Sequence, residues 1–301
     1  MTPWPSVGIV VPTRDRPSEV RQALAAIAGQ DYPGRLEVVV VFDQTEPDHR
    51  LATDMVQVAR NTRTPGLAGA RNTGILALDT DLVAFCDDDD VWLRDKLRAQ
   101  VGALLARPGA LFASCGIRVR FEDRAVDRLA GRDEVSHADL IRSRMVMVHS
   151  STYLADRRAL IDRIGLLDET IPGSQNEDWD LALRAATAGP IVNLDRPLVE
   201  VRWGAGSHYA RQWSTKVASL RWMLEHHPDI ARDRIGAARV YAQIAFGHAC
   251  LGQRAEAARW SLRALRGNWR ERRVPFVLAV ASGAVSGERV LRILHARGHG
   301  I

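Results

Sequence analysis

Four consecutive carboxylates, Asp87 to Asp90, close an apolar run in "VAFCDDDDVWLRDKL", residues 83–97. Adjacent like charges repel, so a folded chain must solvate or neutralise them. Three outcomes are open: a wet acidic turn, a helix cap, or a cation site. Hard oxygen donors at the end of a buried strand suit Mg²⁺ or Mn²⁺, which takes few protein carboxylates and completes its shell with phosphates and water. In an extended segment alternate side chains share a face, so Asp87 and Asp89 are expected to point together. Asp88 is then free to accept hydrogen bonds from another part of a ligand, such as a ribose. Asp90 is placed to cap the helix expected from Trp92. A calcium loop of the EF-hand type is excluded, because positions six and twelve counted from Asp87 are Trp92 and Arg98, not Gly and Glu.

A second acidic cluster lies in "NEDWDLALR", where Glu177, Asp178 and Asp180 begin a predicted helix. First-turn acids stabilise a helix through its dipole. Equally, one carboxylate at the mouth of a cation site can take a proton from a hydroxyl as general base. Spacing alone leaves both readings open. Asp43, at the end of "RLEVVVVFD", is a further acid at a predicted strand end.

The elements that must position these groups alternate. "SVGIVVP", "RLEVVVVFD" and "LVAFC" read as buried strands. "RDRPSEVRQALAAIAGQ", "DHRLATDMVQVAR" and the end of "TRTPGLAGARNTGILALD" read as helices, as does Trp92 to Leu105. Such βαβαβ order predicts an α/β fold, a mostly parallel sheet flanked by helices, with ligands at the carboxyl ends of the strands. No G-x-G-x-x-G follows the first strand, which argues against hydride transfer. Further on, "LFASCGIRVRFED" and "MVMVHSSTYL" read as strands, "IVNLDRPLVEVRW" as a late strand or hairpin, "DRAVDRLAGRDE" as a charged loop, and "DRRALIDRIG" as a short helix. Strand signals end near residue 207. Residues 212–226, 229–251 and 253–266 read as helices, so the expected division is 1–206 and an all-helical 207–301.

Composition sets the remaining bounds. The chain has 301 residues, 46% of them hydrophobic and 26% charged, as in soluble globular proteins. No apolar run approaches the ~18 residues of a membrane span, and the N-terminus lacks the pattern of a signal peptide. Three cysteines without CxxC spacing suggest neither disulfides nor zinc. A cytoplasmic location follows as the expectation. The net charge is +5 and arginine far outnumbers lysine. From Arg254 onward ten arginines face three glutamates, a balance of 10 − 3 = +7, which leaves 5 − 7 = −2 for the rest. No nucleic-acid partner is expected. Beside the apolar "VPFVLAVASGAV", the basic tail is either a helical cap on the first domain or a peripheral contact with an anionic membrane face.

Five segments in order resemble an inverting family 2 glycosyltransferase of the GT-A (Rossmann-like) fold. They are "VGIVVPTRDRPSEVRQALAAIAGQDYP", "LEVVVVFDQTEPD", "GLAGARNTGI", "VAFCDDDDVWLRDKL", and "RIGLLDETI" followed by "NEDWDLALR". The resemblance covers residues 6 to 205. It implies a nucleoside-diphosphate sugar as donor and a saccharide, lipid-linked or small-molecule acceptor. It implies Pro12, Thr13 and Arg14 along the base and ribose, Asp43 on the nucleoside, and Arg71 shaping the donor pocket. Asp87 and Asp88 would lie against ribose and diphosphate. Asp89 would be the principal metal ligand, Asp87 near it, with His208 completing the set. Asp178 would be the catalytic base and Glu177 its neighbour. Arg14, Asp15 and Phe42 depart from the family pattern around the base, so UDP, GDP and dTDP stay open. The loops 122–134 and 203–210 are expected to close the site, and Trp179 and Trp203 either stack on an acceptor sugar or pack in the core. Two other classes share acidic strand ends: a metal-dependent nucleotidyltransferase or phosphohydrolase, and a non-catalytic sugar-nucleotide binding protein.

Overall fold

The computed structural model describes residues 4–203 and 212–296. In chain order its first half contains β1 (Val7–Thr13), α1 (Pro17–Ala28), β2 (Leu36–Phe42), β3 (Val56–Arg60), α2 (Leu67–Ala77), β4 (Leu82–Phe85), β5 (Val91–Trp92) and α3 (Lys96–Leu105). Then come β6 (Phe112–Phe121), β7 (Arg124–Arg128), β8 (Glu134–Val135), α4 (His137–Arg142), β9 (Leu154–Asp156), α5 (Arg157–Ala159), α6 (Glu177–Ala188) and β10 (Ile191–Arg202). Only helices follow: α7 (Trp213–His226), α8 (Pro228–Arg232), α9 (Arg234–Cys250), α10 (Arg254–Gly267), α11 (Val274–Ala281) and α12 (Gly287–His295).

One sheet runs β3-β2-β1-β4-β9-β6-β10-β5, with β7 and β8 beside β6 and β10. Its first four strands are parallel, because each follows a crossover on a face of the sheet. β1, β2 and β4 are apolar on both faces; all of β1 is buried. Thr13 pairs with Phe42, and Val10 with Phe85. The residues after β1, β2 and β4 therefore leave the sheet at one edge, which brings Thr13, Asp43 and Asp87 to Asp90 together. Beyond β4 the sheet becomes mixed, with β9 antiparallel to both its neighbours.

Four local expectations give way. "DHRLATDMVQVAR" is no helix: Asp48 caps one 3₁₀ turn, His49–Leu51, and the rest is β3, where Val56 and Val58 face Val38 and Val40 of β2. A short edge strand has too few positions for its alternation to stand out. "DRAVDRLAGRDE" contains β7, because Arg118 and Asp127 pair across the hairpin and hide the period of two under charge. "MVMVHSSTYL" is mainly turns, with the buried hydroxyls of Ser150 to Thr152 in a 3₁₀ turn before the short β9. Finally, Trp92 is in β5, where it pairs with Val199, and the helix starts only at Lys96. Asp90 therefore does not cap it; Asp95 stands at that end.

The late helices join the same core. α7 packs on the turn at 172–174, α8 and α9 on α4. Phe246 and Met223 lie fully buried with the sheet residues. Polar links cross as well: His227 Nε2 is 2.8 Å from Asp180 Oδ1, and Asn176 Nδ2 donates to Ser219 Oγ at 2.7 Å. Among the described residues no helix is long and apolar enough to cross a membrane.

Candidate active site

The acidic turn is divided among several neighbours. Thr13 Oγ1, from the end of β1, donates to Asp88 Oδ2 at 2.7 Å. Arg16 Nη1 lies 3.1 Å from Asp88 Oδ1 and 2.6 Å from Asp89 Oδ2. Burial pushes Asp88 up to about 6, although the Thr13 hydroxyl and Arg16 offset part of the effect. Asp87 is partly buried, and desolvation raises it, but Arg71 and then His149 outweigh that and hold it below the usual carboxylate range. Its backbone N–H donates to Ser151 Oγ at 2.9 Å, and Ser150 Oγ donates to its Oδ2 at 3.0 Å. Asp90 is 1% exposed and its Oδ2 has no hydrogen-bond partner. Burial, then the charges of Asp87 and Asp89, drive its pKa well above the ordinary value.

These groups fit a divalent cation. Donor atoms of Asp87, Asp90 and His149 lie within 4.8 Å of one another. The imidazole is wedged between the two carboxylates, Nδ1 3.6 Å from Asp90 and Nε2 4.0 Å from Asp87. The two carboxylates are the donor chemistry of Mg²⁺ and Mn²⁺ sites, whereas an imidazole nitrogen suits softer first-row metals, so His149 shifts the set away from Mg²⁺. Asp89 instead turns to Arg16, the chain's own cation.

Arg71 ties this turn to the second acidic cluster. It is 1% exposed, on α2, and its guanidinium bonds both Asp87 and Glu177. The loop before α2 folds tightly onto the helix's first turn because Gly69 stands there; a Cβ would collide with the Thr64 carbonyl oxygen. Glu177 is pushed up by burial, and the neighbouring Asp178 charge adds to the effect beyond what Arg71 offsets. Asp178 goes the other way. Burial raises it, but Arg144 and His149 outweigh that and keep it ionised. Arg144 Nη2 donates to both carboxylate oxygens at 2.9 and 3.0 Å, and the Trp179 N–H donates to one of them at 2.8 Å. The outcome is two adjacent acids with opposite tendencies at the N-terminus of α6.

Asp43 is 7% exposed, and its carboxylate holds the next loop: it accepts from Asn61 Nδ2 at 2.7 Å and from the Gly66 N–H at 3.1 Å. Glu169, from the "LDET" segment, grips the same loop through Arg63, the Thr64 N–H and Asn72. Those bonds outweigh burial and hold its pKa down to about 2. Pro12 is buried in β1 and Arg14 is exposed just after it. His208 and most of the 203–210 loop lie outside the described residues. Trp179 is 1% exposed and donates to the Leu140 carbonyl at 3.0 Å, so it packs in the core instead of offering a sugar platform. Trp203 is half-buried, its ring 5.2 Å from His295.

Sequence reading passed over Arg144, His149, Glu169 and Arg16. The first two fall in and beside the apolar "MVMV", where the only signal was the polar Ser-Ser-Thr run that follows. Glu169 was visible as part of "DET" but had no assigned partner.

Solved structures share this fold. Residues 1–349 of S. aureus TarS, crystallised with UDP, superpose with a TM-score of 0.61 at 17% identity, covering 98% of this chain and 92% of that one. The mannosyltransferase PcManGT from Pyrobaculum calidifontis, in complex with GDP-Man and Mn²⁺, gives 0.54 at 21% identity over 94% and 80%. By sequence, the pre-mycofactocin glycosyltransferase of Mycobacterium tuberculosis is 28% identical over 248 residues, 74% of this chain and 48% of that protein. The Escherichia coli UDP-Glc:alpha-D-GlcNAc-diphosphoundecaprenol beta-1,3-glucosyltransferase WfgD is 26% identical over 104 residues, 33% of this chain and 41% of that protein. The chain thus spans about half the length, or less, of these curated relatives. Residues 8–164, more than half of the chain, match the family described as Glycosyl transferase family 2. With the strand-end acidic turn and GT-A architecture in place, the chain belongs to glycosyl transferase family 2.

Proposed function

We propose that the protein is an inverting, metal-dependent glycosyltransferase that moves one sugar from a nucleoside-diphosphate sugar to an acceptor hydroxyl, with Asp178 as general base. The observation that carries this reading is the Arg71 bridge. It ties the helix that bears Asp178 to the strand-end turn that bears Asp87, so the candidate base and the acidic turn lie side by side. Residues 1–206 are the catalytic unit in this reading and 207–301 its helical region.

Thr13, Arg14, Asp43 and Asp88 orient the nucleoside, with Pro12 setting the end of β1. Asp87 would hold Mg²⁺ or Mn²⁺ with Asp90 and His149; Asp89 would join them by exchanging its Arg16 contact for the ion, and His208 is a further candidate. When bound, the cation neutralises charge developing on the departing diphosphate. Arg71, locked by two carboxylates, fixes the donor side without reorganising during the reaction. Asp178 takes the proton from the acceptor hydroxyl as that oxygen attacks the sugar from the face opposite the diphosphate. Its low pKa keeps it deprotonated at neutral pH, and Glu177 carries the less ionised partner role beside it. Similar proteins support a nucleotide-sugar donor: UDP-Glc for WfgD, and GDP-Man with Mn²⁺ for PcManGT. The acceptor class is a glycan, a lipid-linked saccharide or a small molecule.

A thermal-shift screen of UDP, GDP and dTDP, each with Mn²⁺, tests the donor side. One nucleotide is expected to raise the midpoint by roughly a few degrees at ~100 times its Kd, and EDTA is expected to remove the shift. A shift undiminished by EDTA would remove Asp87 and Asp89 from a metal-binding role.

A further inference from the structure

α10 and α11 both pack on α9 and on each other, so their outer faces point away from the core. The core side of α10 is Ala257, Trp260, Ser261 and Ala264. Its outer side carries Ala258, Leu262 and Leu265, and Trp269 stands just past the helix end. Leu262 is 51% exposed, Leu265 37% and Trp269 73%. The spacing i, i+4, i+7 puts Ala258, Leu262 and Leu265 on one apolar stripe, and Trp269, beyond the extended cap residue Asn268, adds to the exposed apolar surface at its end. Arg259, Arg263, Arg266 and Arg270 follow each member by one residue and make a parallel basic stripe. Two guanidinium groups lie over indole rings, Arg263 4.6 Å from the Trp260 centroid and Arg270 4.5 Å from that of Trp269.

α11, "VPFVLAVA", has no polar side chain, and a helix apolar all round is normally buried. Here only Val274 and Val277 are, while Phe276 is 37% and Leu278 57% exposed. The local acids do not cancel the arginines. Glu256 pairs with Arg259 and Glu271 with Arg273. Arg263, Arg266, Arg270 and Arg272 have no carboxylate within ion-pair distance among the described residues.

We propose that this face docks the protein on a bilayer surface rich in acidic phospholipid. A helix lying in the interface plane buries Leu and Trp side chains to the depth of the acyl boundary and sets arginines among the headgroups. Charge complementarity selects that occupant over a second copy of the chain, because an isologous contact would bring two arginine stripes into one interface. Docking is independent of the transfer chemistry.

Flotation of the full chain with phosphatidylcholine vesicles, with and without phosphatidylglycerol, tests it. The protein should rise with the acidic vesicles at low salt, and stay behind with the neutral ones or when salt is raised. Each arginine near such a surface contributes about fivefold. Reversing three of them, Arg263→Glu, Arg266→Glu and Arg270→Glu together, should therefore weaken recovery at least about a hundredfold. Trp269→Ser with Leu278→Ser should weaken it about tenfold or more, and an unchanged melting midpoint will show that both variants fold. Absence of binding to acidic vesicles, or equal binding to neutral ones, overturns the proposal. So does a dimer in solution that the Trp269 and Leu278 substitutions dissolve. Nucleotide binding with Mn²⁺, measured without vesicles, reads the catalytic unit separately and should be the same in all variants.

Discussion

Asp178→Asn is expected to lower sugar transfer by about 10³-fold, within the range that a general base supplies, while nucleotide binding with Mn²⁺ stays near that of the wild type. The substitution removes the proton acceptor and little else. An asparagine keeps one oxygen to accept the Trp179 N–H and part of the Arg144 contact, so the N-terminus of α6 retains its shape. The carboxylate it replaces is well equipped for the role. Its two oxygens offer about four lone-pair sites, of which Arg144 and Trp179 occupy three, leaving one for an incoming hydroxyl. Steady-state transfer assays with nucleotide titrations in parallel separate the two effects. Activity within about tenfold of the wild type would remove Asp178 from the base position.

The second large effect is expected at Arg71. Arg71→Met keeps the length and apolar stem of the side chain but deletes the cation that bridges Asp87 and Glu177, both of which are then left without that bridge. Breaking a buried ion pair by removing one partner costs about 3–5 kcal/mol, here with two carboxylates affected. Urea denaturation should show that loss, and nucleotide binding should fall with it because Asp87 no longer has a fixed position. Glu177→Gln in the same chain should restore part of the stability, since one of the two stranded charges is gone. Arg71→Lys should recover less than full function: a single ammonium lacks the fork that reaches two carboxylates. A Met variant within about 1 kcal/mol of the wild type would mean that the bridge does not organise the site.

Much of the site could be read before any coordinates, and the reason is physical. β1, β2 and β4 are buried on both faces, so they appear as unbroken apolar runs, and their order in a parallel sheet puts the acids that follow them on one edge. The pairing of Glu177 with Asp178 at a helix start was equally visible, but which acid stays ionised was not. That depends on Arg144 and His149, which reach Asp178 from a segment more than 25 residues earlier in the chain. Turns such as 145–152 are held by buried hydroxyl contacts that leave no periodic mark. β3 and β7 were lost for a related reason: one is a five-residue edge strand and the other a charged hairpin arm, and neither buries enough of one face to reveal its alternation. The four aspartates also divide differently from simple alternation. Asp87 and Asp90 face His149, while Asp88 and Asp89 face Arg16.

Slow donor turnover, followed by proton NMR with diamagnetic Mg²⁺ and α-linked UDP-, GDP- or dTDP-hexoses, tests the central claim most directly. The account predicts nucleoside diphosphate and a sugar product that first appears as the β anomer, and loss of both in Asp178→Asn. An α anomer, or release of nucleoside monophosphate with sugar phosphate, would contradict it.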